Sequence, residues 1–127
     1  MATFDLTEET FESSIQNNDI LVIDFWATWC GPCRQFAPVF EAASEQHEDV
    51  AFAKCDTDAQ TAIAGHFNIK SIPTLAIFRE QVLLFLQAGS LPPEGLEDVL
   101  RQVRELDMDK VRAEVAAEQE SAGEEQA

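Results

Sequence analysis

Cys30 and Cys33 stand three positions apart, with Gly31-Pro32 between them. Thiols at that spacing can close a small disulfide ring or contribute to a metal site. Which chemistry follows depends on charge. The thiolate attacks a disulfide and the thiol does not, and an ordinary cysteine titrates near pH ~8.5, so most of it is inert at neutrality. A helix N-terminus changes this, because its unpaired amides and dipole favour negative charge.

The flanking sequence supplies such a place. Ile20 to Phe25 (ILVIDF) is an apolar run, too short for a buried helix and rich in β-branched residues, which reads as a strand covered on both faces. From Arg34 onward, Phe36, Val39, Phe40 and Ala43 recur at helical spacing. The cysteines therefore sit where a strand hands over to a helix. Cys30 is expected at the helix start, nearest solvent, and Cys33 one turn further in on the same side. Pro32 suits a first turn, where a missing N–H costs nothing, and Gly31 presents no side chain to an incoming group. Asp24, an acid inside the apolar strand, lies beneath the pair. A reversible disulfide is the natural consequence. Zinc is the competing reading, but a structural site wants four ligands. Cys55, His47 and His66 stand at unconvincing spacing for the other two.

The other elements follow in order. Thr3 to Leu6 reads as a short strand, and Thr7 as the cap of a helix with Glu8 and Glu9 in its first turn and Phe11 and Ile15 on its apolar side. Pro38 lies inside the helix after the cysteines and predicts a kink. Val50 to Cys55 reads as a third strand, and Asp56-Thr57-Asp58 as the cap of a short helix carrying Ile63 and Phe67. Thr74 to Phe78 and Val82 to Leu86 are apolar runs separated by Arg79-Glu80-Gln81, an antiparallel hairpin without the glycine such turns favour. After Gly89 and Pro92-Pro93, the residues Leu96, Val99, Leu100, Val103 and Leu106 mark a last amphipathic helix. The order β-α-β-α-β-α-β-β-α predicts an α/β domain on a central sheet.

With 24 acidic and 8 basic residues, the chain carries a net charge of −16, spread along its whole length. That charge argues against duplex nucleic acid and anionic membranes as partners. The N-terminal residues lack the basic and apolar regions of a leader, and no run approaches the length of a membrane span. A cytoplasmic protein is expected, and there a CxxC pair is more often catalytic or metal-binding than structural.

Phe25-Trp26-Ala27-Thr28-Trp29-Cys30-Gly31-Pro32-Cys33 resembles the active-site segment of the thioredoxin family, and the predicted order of elements resembles its fold. The resemblance covers roughly Phe4 to Val103, with a mixed central sheet flanked by helices. It implies a dithiol–disulfide oxidoreductase that reduces disulfides of client proteins, with no bound cofactor or metal. Electrons would come from NADPH through a thioredoxin reductase. Cys30 would attack and Cys33 resolve, forming the Cys30–Cys33 disulfide. Asp24 would be the buried proton acceptor for Cys33, its pKa raised by burial, and Lys54 on the next strand would oppose that shift and assist proton movement. Ile72, before a cis Pro73, would offer backbone groups to an extended client segment; Trp29 would supply a flat apolar flank, and Gly89 would lie beside the site. Trp26 reads as core, and Cys55, outside the motif, as an inert buried thiol.

The chain departs from the family pattern beyond Leu106. Residues 1–106 form the expected domain and residues 107–127 an acidic extension. There Met108, Val111 and Val115 predict a further helical turn or two packed on the domain, and the polar stretch from Glu118 is expected to be disordered. A monomer is expected. Two other function classes remain open: a redox co-chaperone or protein-specific partner docking through the extension, and an oxidase of an oxidising compartment. Gly31-Pro32 argues against the second.

Overall fold

A computed structural model of the chain describes residues 2–126, with side chains through residue 121. Strand β2 (Ile20–Trp26) is the middle of a five-stranded sheet ordered β1-β3-β2-β4-β5, with β1 at Thr3–Asp5, β3 at Val50–Asp56, β4 at Thr74–Arg79 and β5 at Val82–Ala88. β1 and β2 run parallel to β3, while β4 is antiparallel to both β2 and β5. Helices α1 (Phe11–Asn17), α2 (Gly31–Gln46), α3 (Thr61–His66) and α4 (Pro93–Glu105) complete the predicted order, and α5 (Met108–Gln126) is added to it.

Side chains alternate across a strand, and β2 divides the core accordingly. Ile20 and Val22 join Phe36 and Phe40 of α2, Phe52, Ile77, and Leu96 and Leu100 of α4 on one face. Leu21, Ile23 and Phe25 join Cys55, Ile63 and Phe78 on the other, with Phe11 and Phe67 packed against them. Both faces of β2 are thus covered, as its unbroken apolar run requires. By alternation Asp24 belongs with Ile20 and Val22, on the face that α2 covers.

Several local expectations are corrected by tertiary contacts. The first helix begins at Phe11, not after Thr7, and has no side-chain cap. Thr7 and Thr10 instead bond each other in a preceding turn. Glu8 is drawn across to α3, where its carboxylate accepts from the Ala62 N–H at 3.3 Å and its own N–H donates to Gln60 Oε1 at 3.0 Å. Asp56 likewise closes a turn, accepting from the Asp58 and Ala59 amides, rather than capping α3. The last predicted helix stops at Glu105, and Leu106 adopts an extended conformation. Arg79 ends that helix from the side: Nη1 donates to the carbonyls of Val103, Arg104 and Leu106 at 2.9, 3.2 and 3.1 Å. Such donors satisfy the carbonyls every helix leaves open.

Asp107 restarts the chain as α5, its carboxylate accepting from the amides of Asp109 and Lys110. Met108 is buried, Val111 and Val115 are half-buried, and Arg112 bridges Asp109 and Glu80. The helix continues through Gln126, where the stretch from Glu118 was expected to be disordered; Ala127 lies outside the described residues. A run rich in Ala and Glu and free of proline extends an already capped helix at little cost.

The hairpin turn is tight. Glu80 and Gln81 both have positive φ, 51° and 70°, the geometry that suits a right-twisted two-residue hairpin but penalises side chains. Left-handed backbone costs a non-glycine residue roughly 1–2 kcal/mol, while glycine brings an entropic cost of roughly 0.5–1 kcal/mol. Gln81→Gly should therefore raise stability by about 0.5 kcal/mol or more, read as a higher urea midpoint at unchanged m-value. An unchanged or lower midpoint would show that the turn is not strained.

Candidate active site

Cys30 is the N-cap of α2. Its extended backbone ends the turn from β2, and its Sγ accepts the Cys33 N–H at 3.2 Å. The sulfur holds the place a serine or aspartate oxygen usually takes, receiving an amide of the first turn. Gly31 and Pro32 are the first two helical residues, and the Cys30 N–H bonds the Ala27 carbonyl at 3.2 Å. The two cysteines are joined as a disulfide with Cα atoms 5.2 Å apart, within the range such a bond spans. In this oxidised state both cysteines are buried, Cys30 4% and Cys33 3% exposed. Ala27, Trp26 and Ile72 pack around the closed ring.

Three loops converge on the pair. The Ile72–Pro73 peptide is cis, and the Ile72 carbonyl oxygen lies 3.7 Å from Cys30 Sγ. Gly89 adopts φ +110°, a conformation side chains rarely tolerate, and its N–H donates to the Pro73 carbonyl at 2.8 Å. Gly89 is thus both the turn residue and the tether of the Pro73 loop. Trp29 is 67% exposed, an unusual state for an indole, and is held by one hydrogen bond from Nε1 to Asp58 Oδ2 at 2.9 Å. Trp29, Thr57, Lys70, Ser71 and Ile72 line an open groove of ≈ 410 Å³ beside the disulfide.

Beneath the helix, Asp24 is 1% exposed, and neither carboxylate oxygen has a hydrogen-bond partner within the protein. Parallel pairing sets Asp24 beside Lys54, and antiparallel pairing sets it beside Leu75. The Lys54 ammonium goes elsewhere, 3.9 Å from Glu41 and 5.1 Å from the centre of the Trp26 ring. Burial pushes the Asp24 carboxyl up to about 7, and the positive field of Lys54 restrains that rise without reversing it. Trp26, half-buried over Lys54, has one foot in the core and one in the site. Burial together with nearby acids pushes the Cys55 thiol up to about 12, as an inert thiol requires. His47 bonds Glu97 and Arg104, and His66 packs on Phe11 and Phe67. Among the described residues no three His, Cys, Asp or Glu side chains converge as ligands.

The structure brings Cys30, Cys33 and Ile72 together, tethers Pro73 to Gly89, places Trp29 and Ile72 on one groove, and sets Asp24 beside Lys54 on the neighbouring strands. Three contacts near the site were missed from sequence. Asp58, which holds the Trp29 indole, was read as part of a helix cap; Glu41, which faces Lys54, was not singled out; and Arg34 was read as the first residue of a helical pattern, although its Nη1 reaches back to the Thr28 carbonyl at 2.9 Å. Only the Asp58 contact had a foreseeable signal, an exposed indole in need of an acceptor.

The Asp24 carboxyl has a stability consequence. Its folded pKa exceeds its ordinary value, so between about pH 4 and 7 the native state binds more protons than the unfolded chain, and stability falls as pH rises through that window. Asp24→Asn keeps the shape and removes the ionisation. It should leave stability near wild type at pH 4 and raise it at pH 8.5 by on the order of 4 kcal/mol, measured by urea unfolding of the oxidised forms. Parallel pH profiles for the two proteins would refute the burial argument.

Residues 2–102 match the family profile of thioredoxin. A putative thioredoxin 2 of Streptomyces coelicolor is 52% identical over 122 residues, 96% of this chain and 91% of that one. The thioredoxin of Alicyclobacillus acidocaldarius is 42% identical over 103 residues, covering 80% and 98%. Among solved structures, a mutant thioredoxin from Halobacterium salinarum superposes with a TM-score of 0.76 at 30% identity, over 83% of this chain and 93% of that one. A fold with this strand order, a disulfide at the head of its second helix and relatives of this closeness leave one assignment: the chain belongs to the thioredoxin family and is a thiol–disulfide oxidoreductase.

Proposed function

We propose that the chain reduces protein disulfides by a two-step exchange, Cys30 attacking and Cys33 resolving. The observation that carries this is the Cys33 N–H directed at Cys30 Sγ at the start of α2. In the reduced protein the same amide and helix end favour the Cys30 thiolate. That thiolate displaces one sulfur of a client disulfide, which leaves as a thiolate while a mixed disulfide forms. The Cys33 thiol then gives its proton to Asp24, through water, and attacks Cys30 Sγ. The second client sulfur departs, and two electrons have passed from the dithiol to the client.

Asp24 suits the middle step because a carboxyl near 7 is matched to neutral pH. Lys54, close but bound to Glu41, tempers the carboxyl and assists proton movement. Ile72 offers its backbone to an extended client segment, Pro73 and Gly89 hold that loop, and Trp29 supplies the apolar flank. Gly31 and Pro32 leave the helix start unobstructed. A thioredoxin reductase drawing on NADPH would restore the dithiol, and no cofactor need be bound. The protein acts in the cytoplasm as a monomer, with residues 1–106 as the redox domain and residues 107–127 as an extension. The Arg112–Glu80 contact and buried Met108 favour a structural role for that extension over a docking arm.

Insulin reduction driven by dithiothreitol, or by NADPH with a reductase, tests the scheme. Cys30→Ser should abolish turnover, whereas Cys33→Ser should accumulate a stable mixed disulfide with the client, visible by mass. Full turnover in Cys30→Ser sinks the assignment.

The proton step has its own readout. Release of client from the mixed disulfide should accelerate as pH rises through about 7. Asp24→Asn should slow it by roughly 10²-fold or more at neutral pH and abolish that inflection. An identical inflection in the variant would assign the proton to another group.

A further inference from the structure

Lys54 has more than one acid to choose from. Strand pairing sets it between Asp5 of β1 and Asp24 of β2, and side chains at paired positions share a face of the sheet. Asp56, two positions on, shares that face too. It is the face α2 covers, and Glu41 approaches it from the helix, three residues after Pro38. Among the described residues Glu41 is the one carboxylate within ion-pair distance of the ammonium, at 3.9 Å, with the centre of the Trp26 ring 5.1 Å away.

The choice matters because the acids passed over are unlike. Asp5 is exposed at the sheet edge, and Asp56 accepts the amides of its own turn. Asp24 is 1% exposed, and both its oxygens lack a partner within the protein. A cation brought against it would act through little water and strongly favour the ionised form. The remaining neighbours do not compete for the ammonium. β4 presents Leu75, α4 presents Leu96 and Leu100, and Cys33 in the first turn of α2 carries no charge in the disulfide.

We propose that Glu41 is a positioning residue for Asp24: by holding the Lys54 ammonium on the helix side, it keeps the buried carboxyl out of a direct ion pair. A half-buried contact of this kind adds little to stability, but a small preference is enough to set where one cation resides. Glu41→Gln keeps the shape and removes the charge, so the ammonium gains by turning to Asp24. The functional consequence rests on the reductase reading above, in which Asp24 accepts the Cys33 proton, and the test separates the two.

The Asp24 carboxyl is titrated directly by carbon-13 NMR in the oxidised protein, where neither client nor reductase is needed. The wild-type midpoint should lie at about 7. Glu41→Gln should lower it by roughly one pH unit, and Glu41→Asp, with its charge drawn back, should fall between the two. Lys54→Met should raise the midpoint, and adding Glu41→Gln to Lys54→Met should change it no further. An unchanged or raised midpoint in Glu41→Gln overturns the proposal. So does an equal fall in the Lys54→Met background, which would show Glu41 acting on Asp24 by its own field and not through Lys54. A second arm follows client release from the mixed disulfide, whose pH inflection should move down with the NMR midpoint in Glu41→Gln. A midpoint that moves without the inflection keeps Glu41 as the holder of Lys54 and removes Asp24 from the proton step, so the two readings fail separately.

Discussion

A single amide anchors the geometry of the cysteine pair. The Cys33 N–H points at Cys30 Sγ because α2 begins at Gly31 and not a residue earlier or later. That start point is imposed from behind. β2 ends at Trp26, Ala27 is fully buried, and the turn closed by the Cys30 N–H on the Ala27 carbonyl delivers the sulfur to the cap position. Proline in the first turn removes a donor that had no intrahelical partner. The helix end favours a negative sulfur while holding its partner sulfur one turn away.

Beneath this anion-favouring end lies a group with the opposite tendency. Asp24 is buried without a hydrogen-bond partner within the protein, so desolvation keeps it protonated to about neutrality. Lys54 stands on the adjacent strand and faces the same way, yet its ammonium is shared between Glu41 and the Trp26 ring. A direct ion pair would lower the carboxyl and remove the near-neutral pKa that the proposed proton-acceptor role requires. One environment thus draws a sulfur towards its ionised form, and the other delays ionisation of an acid.

The periphery supports this corner at a distance. Arg79, at the end of β4, closes the C-terminus of α4, while Glu80 in the next position binds Arg112 of α5. Exposed ion pairs of this kind contribute at most about 1 kcal/mol each. Arg79 differs because it satisfies helix carbonyls that would otherwise lie open. The hairpin joins the sheet, the last domain helix and the extension at one point, far along β4 from the Pro73 loop that begins that strand.

Much of this was legible in the residues. The unbroken run of β2, the helical period after Cys33 and the hairpin runs dictate element order because each reflects which faces must be covered. The CGPC segment with Asp24 announces thiol chemistry, since few other arrangements combine those groups. Local chemistry failed where a distant partner offered a better contact. Thr7 lost its capping role because Glu8 was drawn to α3, and the Asp56–Asp58 cap became a turn whose second acid serves Trp29. The extension proved helical through Gln126 because capping and composition act together, and neither is decisive alone. Only the fold could show that Lys54 bypasses Asp24, that Arg79 closes a helix, and that Arg34 reaches back to the Thr28 carbonyl. The first two join residues tens of positions apart, and sequence spacing carries no information about distances across a sheet.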